Sequence, residues 1–319
     1  MPPVSPRLKL LSAALLAGAC LTPAWAGPHA YVPNEGSGTL SVIDTQTDQV
    51  VAEIPAGKKP RGTVVTPDAR TAFVTDQPAA ALNVVDLVAG KLVGSIPLGT
   101  SPEGAGISAD GRWVAAAVEE GNEVMFIDTA TRQKVFEVKV KGRNPEHAVF
   151  SPDGKTVIVS AEEGEAVDVI DVASRSELTQ IPVGARPRGM GFSPDGKFAW
   201  VAAETASEVY KIDTASWKIV GQVKVGLRSN GIVVHPDGQR VFVSNGGDHN
   251  VMVIDTRTLT VQATIPVGQR PWNMALTPDG QKLYVACGRS GAVSVIDLTK
   301  NEKIKDIPVG KLPWGVAIR

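Results

Sequence analysis

The chain has 319 residues, with 32 basic and 33 acidic side chains and a formal charge of −1. So even a balance excludes the clustered positive surface that a nucleic acid or an anionic membrane would need, and neither is expected as a partner. The two cysteines, Cys20 and Cys287, leave no internal disulfide once a leader is removed, so the fold must be held by packing alone.

At the N-terminus, Arg7 and Lys9 lead into an apolar stretch over residues 10–21, and Ala24-Trp25-Ala26 places small residues where signal peptidase requires them. Residues 1–26 are therefore expected to be a signal peptide cleaved after Ala26, with the rest of the chain in the periplasm. The stretch is too short to cross roughly 30 Å of hydrocarbon at about 1.5 Å per residue, so no membrane span is expected. Lipid attachment at Cys20 is the competing possibility, disfavoured because Ala17-Gly18-Ala19 lacks the usual upstream leucine.

From residue 27 onward the chain repeats. A Val-Ile-Asp-like segment closes on Asp44, Asp86, Asp128, Asp171, Asp213, Asp255 and Asp297, with gaps of 42, 42, 43, 42, 42 and 42 residues. A period of about 40 to 45 residues is one four-stranded propeller blade. The expected fold is all-β, a seven-bladed β-propeller of antiparallel blades filling residues 27–319 as a single domain.

The fifth copy shows the blade plan. Strands are expected over 189–193, 198–203, 208–213 and 218–225, with Pro194-Asp195-Gly196 turning the first into the second. Equivalent turns start at Thr66, Ser108, Ser151, His235 and Thr277. The remaining blade has none. Residues 315–318 read as a first strand with no turn after it, and Ala30-Tyr31-Val32 as a second strand with no first, so the two chain ends are expected to complete one blade and close the ring.

Chemistry is expected where the links between blades reach the channel mouth. The link ends in Val-Gly-x-x-Pro, and the residue after it is Arg61, Glu103, Glu146, Arg188, Asn230, Trp272 or Trp314 round the ring. The next position is Gly62, Gly104, Gly189, Gly231 and Gly315 in five blades but His147 and Asn273 in the others. A crowded rim favours glycine, so His147 either fills a wider gap or serves as a ligand or proton-transfer group beside Glu146. A second, acidic ring comes from the loop positions Glu35, Glu119, Glu162 and Glu204, which either attract a cation or basic surface or are solvated loop charges. No Cys-x-x-Cys-His, His-Glu-x-x-His, nucleophile elbow or phosphate loop is present, so neither cofactor nor metal site is expected. Asp248 and His249 read as a turn, His235 as structural and Cys287 as a small buried residue.

The strand ends Tyr31-Val32-Pro33-Asn34, Phe73-Val74-Thr75-Asp76, Phe242-Val243-Ser244-Asn245 and Tyr284-Val285-Ala286-Cys287 resemble the Tyr-Val-Thr-Asn repeat family of propellers. Val118, Ala161 and Ala203 replace the asparagine in other blades. The chain from residue 27 looks most like the exported β-propeller proteins associated with pyrroloquinoline-quinone-dependent catabolism. That resemblance implies a non-enzymatic accessory role beside quinoprotein alcohol enzymes, with a periplasmic protein partner or small-molecule ligand at the top face. Propellers of similar repeat type imply an alternative, a lactone-hydrolysing or lactone-forming enzyme. It would use His147 as acid or base, Arg61 and Arg188 on a carboxylate, and Glu103 or Glu146 orienting the histidine. A quinone or haem binder walled by Trp272 and Trp314 is the third.

Overall fold

The computed structural model describes residue 1 and residues 27–319; the expected signal peptide, the expected cut after Ala26 and the Cys20 alternative lie outside the described residues. Among the described residues there are seven four-stranded antiparallel sheets, six of them built from consecutive strands. In blade five the strands are Pro187–Phe192, Phe198–Ala203, Glu208–Asp213 and Lys218–Lys224. The first starts earlier than expected because Pro187 pairs with Ala203 ahead of a bulge, after which Met190 pairs with Val201.

The repeated aspartate has a local cause. Its carboxylate accepts backbone N–H groups two and three residues on, as Asp86 does from Val88 at 2.9 Å and Ala89 at 2.8 Å, which sets the hairpin between the third and fourth strands. In the first turn of each blade, Asp153 accepts from the Ser151 hydroxyl at 2.7 Å and from Lys155 N–H at 3.1 Å. Gly154 follows in the left-handed region at φ 70°, where a side chain is disfavoured. His235 takes the serine position in its copy, and its Nε2 lies 3.0 Å from the Gly280 carbonyl oxygen, a bond to the neighbouring blade.

The hydrophobic core lies between blades. Phe73 and Leu82 of one blade pack with Val114, Ala116 and Ile127 of the next, and Ala30, Val32 and Ile43 pack with Tyr284, Val293 and Val295 across the closure. Each blade therefore buries its apolar faces only by having two neighbours, which makes ring closure a condition of stability.

Closure occurs as expected, in the sheet ordered Ala317–Ile318, His29–Asn34, Thr39–Asp44, Gln49–Pro55. Ala30 pairs with Ile318 and Tyr31 with Ala317, while an isolated bridge joins Asn34 to Pro313. The C-terminal strand is shorter than the expected 315–318. Among the described residues, no helix is long and apolar enough to cross a membrane.

Candidate active site at the channel mouth

The mouth residues sit on bulges. Pairing between the first two strands shifts register between Pro60 and Thr63, between Pro102 and Ala105, between Pro187 and Met190, and between Pro271 and Met274. The skipped residues, Arg61, Glu103, Arg188 and Trp272 among them, are thereby released from the ladder and re-aimed toward the channel. Gly189 follows Arg188 because a Cβ there would stand 2.3 Å from the carbonyl oxygen of Asn230 on the next blade. In blade four the shift falls between Pro145 and His147, so Glu146 alone is skipped. His147 returns to the ladder, donating its N–H to Ser160 Oγ at 3.2 Å.

The two rings read separately from the sequence meet in one cavity of about 240 Å³. Arg61, Glu103, Glu146, Arg188, Asn230, Trp272, Asn273 and Trp314 line it, and so do Glu119 and Glu162 from the loop ring. Glu35 and Glu204 stand behind them, Glu35 3.1 Å from Arg61 and Glu204 3.1 Å from Arg188. Arg61 also pairs with Glu103, and Arg188 with Glu146 and, at 3.0 Å, with Glu162. Three further residues line it that were not among the candidate site residues. Gln77 donates to Glu103 at 2.9 Å, Arg186 pairs with Glu162, and Arg270 lies 3.4 Å from Glu204. Both arginines occupy the last variable position of Val-Gly-x-x-Pro, where their recurrence in two blades was the available signal.

This network sets the six carboxylates Glu35, Glu103, Glu119, Glu146, Glu162 and Glu204 against the four guanidiniums Arg61, Arg186, Arg188 and Arg270. Glu119 has no guanidinium partner within it and accepts from Ser101 Oγ at 2.5 Å. The surplus shows in the proton affinities. Burial first, then the Glu146 charge, raise the Glu103 carboxyl to about 8 against the opposing pull of Arg61. Glu119 is raised by burial and by the Glu146 and Glu162 charges, which outweigh the Ser101 bond. Burial alone would weaken the charge on Arg188, but Glu146, Glu162 and Glu204 together reverse that and hold it protonated. One carboxylate oxygen from each of Glu119, Glu146 and Glu162 lies within 4.8 Å of the others. The Glu103 Oε2 and Arg270 Nη1 atoms are buried without a partner.

His147 lies below this layer. It lines a second cavity of about 130 Å³ with Arg61, Asn273 and Trp314, stacks on Trp314 at 5.3 Å, and has its Nε2 3.3 Å from Asn273 Nδ2. Burial and the Arg188 charge push the ring down to about 3. It is therefore neutral across the physiological range, too weak a base to take a proton there, and its Nδ1 has no partner. The departure from glycine at 147 and 273 thus marks one side-chain contact across the channel. Trp314 is covered by His147, and the Arg270 guanidinium lies 5.6 Å from the Trp272 ring centre, so both indoles proposed as stacking walls already hold side chains. Asp248 and His249 serve backbone turns, accepting from Leu227 N–H at 2.8 Å and Arg270 N–H at 3.3 Å. Cys287 is fully buried and its thiol is raised by that burial.

A family model described as "Lactonase, 7-bladed beta-propeller" matches residues 172–307, a span that includes Arg186, Arg188, Glu204, Asn230, Arg270, Trp272 and Asn273. No curated protein matches the chain. Among solved structures it is similar to Kuenenia stuttgartiensis hydrazine synthase, at 24% identity and TM-score 0.73, covering 80% of this chain and 88% of that one. A functionally unknown protein from Desulfotomaculum acetoxidans gives 17% identity and TM-score 0.80, covering 91% and 98%. The dihydro-heme d1 dehydrogenase NirN in complex with DHE gives 17% and 0.69, covering 91% and 74%. The chain is a seven-bladed β-propeller related in fold to propeller enzymes.

These findings correct the functional expectation. A non-enzymatic accessory role is overturned by the lactonase match and by the glutamate cluster at the mouth. Neither Tyr-Val-Thr-Asn repeat identity nor an association with pyrroloquinoline-quinone catabolism is borne out by the matches. The physical reason is that the quoted strand signature reports packing. Tyr31, Phe73, Phe242 and Tyr284 are all buried between blades, as any propeller requires, and none lines the mouth.

Proposed function

We propose that the protein is a lactonase-type propeller enzyme acting in the mouth cavity. Its main support is the lactonase match across the blades that supply Arg188, Glu204, Arg270 and Trp272 to that mouth. Opening a lactone ring requires a donor for the carbonyl oxygen as it becomes an oxyanion, a base for the attacking water, and a proton for the departing ring oxygen. Arg270, with Nη1 buried and unpartnered, supplies the first. An ionised carboxylate of the mouth accepts the water proton as the new C–O bond forms. Glu103, kept protonated near neutrality by burial and Glu146, delivers its proton to the ring oxygen as the acyl C–O bond breaks, releasing a hydroxy acid. His147 acts as a neutral wall of the cavity beneath.

The test is pH-stat hydrolysis of five- and six-membered lactones, neutral and carboxylated, by the full chain and by Glu103→Gln and Arg270→Met. Turnover should fall by about a hundredfold in Glu103→Gln, the scale of one general acid. Ring opening no faster than in buffer, or undiminished in both variants, would overturn the proposal.

A further inference from the structure

We infer that the cleft between blades five and six, on the face opposite the mouth, binds a small organic carboxylate with an apolar body, its anionic end on Lys211. Two residues before the repeated aspartate, six blades carry Val42, Val84, Phe126, Val169, Val253 or Val295, each at most 1% exposed between blades. Blade five carries Lys211 there. The departure coincides with a cavity of about 410 Å³ lined by Lys211 and Arg257, to which Phe198, Trp200, Pro194 and Pro236 give apolar walls. That volume lies within the range of small-molecule sites.

Another join in the same ring shows what Lys211 lacks. Between blades seven and one, the Lys282 Nζ donates to the Thr45 carbonyl oxygen at 3.0 Å and pairs with Asp48 at 2.9 Å. The Lys211 Nζ makes the equivalent bond, to the Thr256 carbonyl oxygen at 2.9 Å, and Thr45 and Thr256 each follow a repeated aspartate. The place of Asp48, however, is held by Leu259, with φ at 58° against 55° for Asp48. Among the described residues Lys211 therefore has no acidic partner, and its Nζ otherwise meets only aromatic faces, that of Phe198 at 4.0 Å and that of Trp200 at 5.4 Å. An ammonium has three N–H donors, so one remains for a ligand. Partial burial lowers its proton affinity, with no carboxylate to offset the loss. The aspartates of the cleft are already engaged, Asp195 with Lys197 at 3.3 Å and Asp237 with Arg240 at 3.2 Å. A carboxylate ligand supplies what Leu259 does not, while its body covers the apolar walls.

The site stands apart from the lactone reading, because it lies on the other face and is measured without a lactone. The full chain would be titrated by calorimetry at neutral pH with phenylbutyrate and with its uncharged amide. Phenylbutyrate should bind with a Kd of about 1 mM or tighter, and the amide about tenfold more weakly or worse. Lys211→Val, which restores the residue of Val42 and its counterparts, should weaken phenylbutyrate binding by about tenfold or more while melting no lower than the parent. If Lys211→Val does not fold, the same loss in Lys211→Gln carries the test. Arg270→Met, altered at the mouth, should bind phenylbutyrate like the parent. No binding heat, equal binding of the amide, undiminished binding by the Lys211 variant, or loss of binding in Arg270→Met would each overturn the assignment.

Discussion

Deleting residues 312–319 should come close to unfolding the protein, because those eight residues close the ring. The deletion removes the His29 N–H to Arg319 carbonyl bond at 2.6 Å and its return at 3.1 Å, the Trp314 N–H to Pro33 bond at 2.9 Å and the Glu35 N–H to Leu312 bond at 3.0 Å. At about 1 kcal/mol net each, these contribute roughly 4 kcal/mol. Val316 and Ile318, half-buried against the core between the first and last blades, add about 1 kcal/mol each at half the usual burial value. A loss of about 6 kcal/mol compares with a total stability of about 5–15 kcal/mol for a native domain. Thermal unfolding followed by circular dichroism should show a midpoint lowered by about 10 °C or more, at about 2 °C per kcal/mol for a chain of this size, or no cooperative transition. A truncated chain melting with the parent would refute the view that closure by the terminal strands holds the ring.

Glu103 links the mouth to pH. Its carboxyl binds a proton more tightly folded than unfolded, so its contribution is fully present below about 4.5 and is lost progressively as pH rises through about 8. Glu103→Gln should remove that part of the decline in melting temperature between those limits, and parallel profiles for parent and variant would sink the assignment. Gly189→Ala forces a Cβ to within 2.3 Å of the Asn230 carbonyl oxygen and should cost about 1–3 kcal/mol by overpacking. Gly154→Ala, with no atom within 4 Å of its added Cβ but φ at 70°, isolates the backbone cost of about 1–2 kcal/mol. Denaturant melts that rank Gly154→Ala as the more damaging by several kcal/mol would contradict the crowded rim.

The scaffold was legible because its determinants recur. Each aspartate at the repeat pitch makes the same turn, and the rim glycines Gly62, Gly104, Gly189 and Gly231 each meet the backbone of the next blade, so periodicity alone exposed blade number, turn chemistry and closure. The mouth residues were legible as positions but not as one cavity. Arg61 and Glu119 belong to different loops of different blades, and nothing local in the sequence indicates that the mouth ring and the loop ring share one cavity. His147 left two readings open in the sequence, a gap-filler and a proton-transfer group. Desolvation beneath the mouth and the Arg188 charge lower its proton affinity, and a sequence position reports neither.

Some of the electrostatics was nonetheless written in the repeat. Arg61 pairs with Glu103 and Arg188 with Glu146, each pair being 42 residues apart and so one blade apart at the same position. Read round the ring, blades two to five carry plus, minus, minus, plus. Each glutamate finds its arginine on the outer side, which leaves Glu103 and Glu146 on neighbouring blades facing one another with like charge. That junction is where the loop carboxylates Glu119 and Glu162 also converge. Burial and the facing Glu146 charge outweigh the Arg61 pair, so the junction takes up a proton at Glu103. Inverting the order of one pair, with Glu103→Arg and Arg61→Glu together, would set the introduced guanidinium beside Glu146. The double exchange should abolish the pH dependence above 4.5, because that dependence arises from the facing carboxylates of this junction.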